Sequence, residues 1–192
     1  MHIDYQDQKI IPTKIVCVGR NYVDHIKELN NEMPDSMVVF NKPASAISQT
    51  LSSFHEEPLH YEGELCFLVE NGTFVAIAFG IDLTKRKLQS ELKAKGLPWE
   101  RAKAFDGSAI FTDFIHIDNC DQEMSIELSI NEQVIQSGGT NLMMFKPKDI
   151  LAELNAFMTL SDGDIVMTGT PKGVGLINKG DVFQGKVFVK GE

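Results

Sequence analysis

Leu59-His60-Tyr61-Glu62-Gly63-Glu64-Leu65-Cys66-Phe67-Leu68-Val69 is the stretch on which the reading of this chain turns. It alternates at first and is wholly apolar from Leu65 to Val69, the pattern of a strand with one end open to a site and the other buried. Side chains alternate faces along a strand, so Glu62 and Glu64 point the same way, and Gly63 between them leaves room for close packing. Neighbouring carboxylates at the head of a core strand are costly unless a proton or a cation stands between them. Paired hard oxygens suit Mg2+ or Mn2+ better than zinc. A bare Glu-x-Glu is more often a solvated strand edge; the apolar run that follows shifts the balance towards a site.

Downstream, Glu70-Asn71-Gly72-Thr73 is a hairpin turn and Phe74–Ile81 a buried strand ending at Asp82. Asp82 would complete a three-oxygen set beside Glu62 and Glu64, or it, or Thr84, would cap a helix over residues 84–95. On that helix Arg86 and Gln89 are three apart and share a face. Gly96-Leu-Pro-Trp99 ends it. Lys103 follows among small and apolar neighbours, either snorkelling to solvent or reaching a pocket.

Upstream, Lys14–Val18 reads as a short buried strand stopped by Gly19, after a polar segment 1–13 that reads as a surface strand and turn closed by Pro12. Asn21 is placed to cap a helix in which Val23, Ile26 and Leu29 recur at helical spacing. His25 and Glu28 are three apart on it, a general-base arrangement or an ordinary exposed pair. A helix this short needs packing to persist, so it is expected to be loose, with the polar run Asn30–Glu32 after it. Lys42, after the apolar strand Met37–Phe40, reads as solvated. His55 and His60 read as local hydrogen-bonding residues.

Towards the C-terminus, residues 108–118 hold a strand, and Met124–Ile130 alternates as an antiparallel strand with a return over Gln133–Gln136. Ser137–Thr140 reads as a flexible loop and Lys148–Met158 as an amphipathic helix. Ile165–Met167 leads into Thr168-Gly-Thr-Pro-Lys-Gly-Val-Gly175. That loop exposes backbone N–H groups and hydroxyls that can hold an anion, or it is a plain hairpin loop. It lacks the P-loop spacing.

The chain has 192 residues, 43% apolar and 23% charged, enough for one sizeable core. A net charge of -9 argues against nucleic acid and anionic membranes, though not against a small anionic substrate. Cys17, Cys66 and Cys120 are scattered, odd in number and without metal spacing. With no visible signal or membrane-spanning run, a reduced cytoplasmic compartment is expected. Short strands with three helices in one domain over 1–192 indicate an all-β or α+β fold.

Taken in order, Arg20-Asn-Tyr-x-x-His25-x-x-Glu28, Asn41-Lys-Pro43, His60-Tyr-Glu62-Gly-Glu64-Leu65, Asp82, Arg86-x-x-Gln89, Lys103 and Thr168-Gly-Thr-Pro-Lys-Gly-Val-Gly175 resemble the fumarylacetoacetate hydrolase family. Lys95-Gly-Leu-Pro-Trp99 resembles its small branch of acylpyruvases and oxaloacetate decarboxylases. The resemblance runs from about Val18 to Asp181. It implies an α+β roll of layered β-sheets and a homodimer. It implies that Glu62, Glu64 and Asp82 hold one Mg2+ or Mn2+, with Ca2+ able to take the same oxygens in crystals. His25 and Glu28 would activate water from a lid helix, and Lys103, Arg86 and Gln89 would line the side where negative charge builds. Gly169 and Thr170 would grip the substrate carboxylate, and Arg20 would approach its distal end.

The implied chemistry is C–C hydrolysis or decarboxylation of a small anionic 2-oxo acid through an enolate. Isomerase or tautomerase action on hydroxy-diene diacids or oxaloacetate is the alternative that the same residues permit. A non-catalytic β-rich module stabilised by a structural metal gives His25, Arg86 and Lys103 no reason to converge. Phosphate-ester hydrolysis suits a His–Glu base beside one acidic trio less well.

Overall fold

Leu65, Phe67 and Val69 leave one face of the Gly63–Glu70 strand and Cys66 and Leu68 the other, and each set enters its own apolar cluster. This two-sided burial explains why the sequence there is apolar without a break. The computed structural model describes residues 1–30 and 32–190; Asn31, in the polar run expected after the first helix, lies outside the described residues, as do Gly191 and Glu192.

The Gly63–Glu70 strand lies inside a seven-stranded sheet in the spatial order Ala109–Phe111, Thr73–Asp82, Gly63–Glu70, Ile165–Met167, Lys14–Gly19, Val38–Pro43, with Ile115–His116 extending along Thr73–Asp82. Among the strand pairings of this sheet, Ile165–Met167 runs parallel to Lys14–Gly19 and the others described are antiparallel. The hairpin turn falls where expected, with Asn71 and Gly72 both at positive φ. A three-stranded sheet, Gln133–Gly139, Met124–Ile130, Phe183–Val189, covers one face. Met124, Ile126 and Leu128 meet Leu65, Phe67 and Phe79 there in the larger cluster. On the other face Cys17, Cys66 and Met167 pack with Ile3, Tyr5 and Ala109. This is the layered α+β arrangement that the resemblance implies.

Several local expectations change. The N-terminal segment is a hairpin, Ile3–Tyr5 with Gln8–Ile10, and buries Ile3 and Tyr5 rather than lying on the surface. Ser137–Gly139 is not a loop. It continues the Gln133–Gly139 strand, because small residues there let Pro171 and Tyr22 pack against Gly138. The strand expected over 108–118 is two short pieces, Ala109–Phe111 and Ile115–His116. The second helix starts later than expected, at Arg86–Ala94, with Lys85 in the cap position, so neither Asp82 nor Thr84 caps it. Asn21 caps nothing either. It is buried, its amide donating to Phe145 O and Thr168 O and accepting from Phe145 N, so it ties two loops together. A fourth helical turn, Glu100–Lys103, follows the break at Trp99 and carries Lys103 inward.

Candidate active site and metal centre

Strand pairing brings the acidic residues together. Gly63 pairs with Ile81 and Glu64 with Gly80, so the head of one strand lies beside the end of the next, where Asp82 stands. Glu62, Glu64 and Asp82 are all buried, and one oxygen from each lies within 4.8 Å of the others. The expected convergence of these three is therefore present.

Three carboxylates out of water require compensation, and the residues around them supply it unequally. Lys103 Nζ donates to Glu62 Oε2 at 2.8 Å, Asp82 Oδ2 at 2.8 Å and Thr84 Oγ1 at 2.6 Å. Arg86 donates through Nη2 to Glu62 Oε1, and through Nη1 to Gln89 Oε1 at 2.8 Å. Lys42 Nζ lies 2.7 Å from Asp82 Oδ1, off the angle of a hydrogen bond, so that oxygen is paired by charge yet accepts no hydrogen bond among the described residues. Among the described residues Glu64 has no cation of its own, and its Oε2 accepts only the Gly169 N–H, at 2.8 Å.

The titration behaviour follows from this asymmetry. Burial opposes ionisation of Glu62, but Lys103, then Arg86 and His25, outweigh it and hold the carboxyl well below its usual range. Burial, then Asp82 and Glu62, push the Glu64 carboxyl well above its usual range, against a weaker pull from Lys103 and the Gly169 N–H. Burial favours a neutral Lys103, yet Asp82 and Glu62 more than reverse this and raise it. Among the described residues Glu64 thus has no counter-charge of its own. With Asp82 Oδ1 free of hydrogen bonds and every donor a hard oxygen, the trio fits a divalent cation of the Mg2+ or Mn2+ type.

The two residues expected to pair on the first helix do so. On the helix Val23–Glu28, His25 is buried and its Nδ1 lies 3.0 Å from Glu28 Oε2. Glu28 Oε1 accepts the Gly173 N–H at 2.9 Å, fastening the helix to the Thr168–Gly175 loop. Both anchoring glycines need their special backbone. Gly169 has φ +94° and a Cβ there would stand 3.0 Å from Val18 O; Gly173 has φ +103° and a Cβ would stand 2.4 Å from Ile135 O. Thr168 Oγ1 donates to Leu65 O and Thr170 Oγ1 to Gly63 O, both at 2.8 Å, so the loop is pinned along the acidic strand. His25, Arg20, Arg86, Gln89, Gly169 and Thr170 line the same pocket as the acidic trio and Lys103. Glu28 stands behind His25.

Three participants escape a reading of the sequence alone. Lys42 is wholly buried rather than solvated. Besides Asp82 it binds Lys103 O, Ser108 O at 3.1 Å and Ser108 Oγ at 3.1 Å, clamping the turn that carries Lys103. Strand alternation carries the signal, since Lys42 shares a face with Phe40 in Val38–Pro43. Gln136 accepts Gly63 N–H at 2.9 Å and donates to Thr170 Oγ1 and Pro171 O, each at 2.8 Å; its strand looked polar and exposed, so no local signal marks it. Lys93 lines the pocket and is found by extending the Arg86–Gln89 face one further turn.

A model of the fumarylacetoacetate (FAA) hydrolase C-terminal family matches residues 14–191. The mitochondrial oxaloacetate tautomerase of Schizosaccharomyces pombe is 36% identical over 93% of this chain and 90% of its own length. The oxaloacetate tautomerase YcgM of Escherichia coli is 38% identical over 88% of this chain and 85% of its own. Among solved structures, fumarylpyruvate hydrolase of Pseudomonas aeruginosa in complex with Mn2+ and pyruvate superposes with a TM-score of 0.87 at 28% identity, covering 97% of this chain and 89% of that one.

Proposed function

Because the chain belongs to the fumarylacetoacetate hydrolase family, we propose that it is a divalent-metal-dependent enzyme of 2-oxo acids that interconverts the keto and enol forms of oxaloacetate. The observation that carries this reading is a His–Glu base in the same pocket as a buried acidic trio with one uncompensated carboxylate. The two tautomerase relatives support the choice of reaction.

Glu62, Glu64 and Asp82 would hold the cation, which when bound withdraws electrons from a keto oxygen as a Lewis acid. The remaining work belongs to the chain. Glu28 engages His25 Nδ1, which leaves Nε2 as the basic nitrogen. His25 takes the C3 proton of oxaloacetate; the C–H electron pair becomes the C2=C3 bond, and the C2 oxygen gains the charge. Protonating that oxygen gives the enol, and returning the proton to C3 gives back the keto acid. Lys103 fixes Glu62 and Asp82 and sets a buried positive charge near the oxygen where charge develops. The Gly169–Thr170 corner would orient the 2-oxo carboxylate through the Thr170 backbone N–H, since the Gly169 N–H is donated to Glu64 and the Thr170 hydroxyl to Gly63 O.

The test follows enol absorbance of oxaloacetate with Mg2+ and with EDTA, in the wild type and in His25→Ala. Rate enhancement that needs Mg2+ and falls about 10²–10⁴-fold in His25→Ala is expected. A wild-type rate equal to that of Mg2+ alone would refute the proposal. The second reading, hydrolytic release of pyruvate from acylpyruvates with His25 acting on water, is favoured by the fumarylpyruvate hydrolase structure. Pyruvate formation from acetylpyruvate distinguishes it.

A further inference from the structure

Beyond Arg86 the pocket wall carries a second group of cations. Arg20, Lys93 and Trp99 line it with Leu29 and Phe40. Arg86, Gln89 and Lys93 stand at helical spacing on one face of Arg86–Ala94, so the helix that reaches the acidic trio presents Lys93 to the same pocket. Arg86 is spent on Glu62. Among the described residues neither Arg20 nor Lys93 forms an ion pair.

Arg20 is held in an unusual state. Its φ is +57°, a conformation costly for a residue with a side chain, and its Nε is buried without a hydrogen-bond partner among the described residues. Its Nη1 makes a long contact, 3.5 Å, to Glu32 O. Lys93 Nζ lies 4.8 Å from the centroid of the Trp99 ring, so the indole face supports its charge from one side. Burial, then Arg20 and Arg86, bring the Lys93 ammonium down to about 8, as expected of cations crowded together without a counter-ion. A strained arginine with a spare buried donor and a lysine that makes no ion pair among the described residues line one pocket, a pair suited to an anion.

Taking Arg20 at the distal end of the substrate as the family resemblance implies, we propose that Lys93 completes a second anion seat there, which takes the distal carboxylate of a dicarboxylate 2-oxo acid and selects diacids over monoacids. This rests on the keto-acid reading of the acidic trio, which would engage the 2-oxo end. With Arg86 committed to Glu62, Arg20 and Lys93 are, among the described residues lining the pocket, the cations without an ion pair that can serve the other end. Trp99 holds the Lys93 stem in place, and Leu29 and Phe40 exclude water around the carbon chain between the ends.

The test is calorimetric binding to the Mg2+-loaded full chain of two non-reacting probes. Oxalate has no distal group; N-oxalylglycine presents a 2-oxo acid at one end and a second carboxylate at the other. Lys93→Gln is expected to weaken N-oxalylglycine about tenfold, the loss of one charge-assisted hydrogen bond, and to change oxalate less than about twofold. Lys93→Arg should restore most of the affinity. The seat is overturned if Lys93→Gln holds N-oxalylglycine as tightly as the wild type, or loses both probes equally. A wild type that binds neither probe overturns the keto-acid reading, and the seat with it; one that binds oxalate normally while Lys93→Gln is silent on N-oxalylglycine overturns the seat alone.

Discussion

Glu64→Gln should make the metal-free protein more stable and the metal-bound protein less so. Glu62 and Asp82 each have a lysine within 2.8 Å, whereas Glu64 has only the Gly169 N–H. Two unit charges 4.8 Å apart repel by about 3 kcal/mol at an effective dielectric of about 20. Glu64 faces two such neighbours, partly offset by Lys103, and escapes the remainder by holding a proton. Its carboxyl is raised in the folded state. The stability it contributes is therefore complete below the carboxyl's usual range and drains away as pH rises through the folded value. An amide of the same shape keeps the Gly169 bond and removes this drain. The gain at neutral pH is about 1–3 kcal/mol, the usual scale for relieving an uncompensated buried polar group. In a chain of this length that is about 2–4 °C in Tm per kcal/mol. Thermal unfolding in EDTA at pH 5 and pH 8 measures it: the variant should be flatter with pH and melt higher at pH 8. Added Mn2+ should raise the wild-type Tm well above its own EDTA value and move the variant little. A variant that melts lower than the wild type in EDTA at pH 8 would refute the view that Glu64 waits for a cation.

Lys42→Met should cost about 3–5 kcal/mol, because it leaves a buried Asp82 oxygen without its charge partner; urea unfolding gives the value. Gly169→Ala should cost about 1–3 kcal/mol from its positive φ and should lower metal affinity by moving the N–H that holds Glu64, read by unfolding and Mn2+ titration. Affinity for N-oxalylglycine should fall as pH rises through about 8 in the wild type, since Lys93 there loses the charge that Arg20, Arg86 and Lys103 oppose and Glu62 favours. In Lys93→Arg the fall should be absent over that range.

What the sequence revealed and what it hid divide along physical lines. Glu62, Glu64 and Asp82 were legible because strand alternation and one hairpin place them, and both are local rules. His25 and Glu28 were legible from helical spacing. Lys42 was not, because a lysine in a short strand looks solvated until the buried Asp82 opposite it is known. Gln136 was not, because its role depends on a loop 34 residues away that pairs with it only in the folded sheet. Asn21 looked like a cap because asparagine before a helix usually is one; here the folded loop offers its amide three backbone partners, which outweigh a single cap bond. The short turn at Glu100–Lys103 follows a Gly-Leu-Pro-Trp break that locally argues against helix, and it is held by Lys42 reaching the Lys103 carbonyl.

The claim on which the rest depends is that Glu62, Glu64 and Asp82 hold one divalent ion for keto-acid chemistry. Crystals grown with saturating Mn2+ and oxalate test it directly through anomalous scattering. The account predicts a single strong peak with one oxygen of each of the three carboxylates at about 2.0–2.6 Å and oxalate filling further positions on the ion. A peak elsewhere, or none among these three residues at saturating Mn2+, would contradict it.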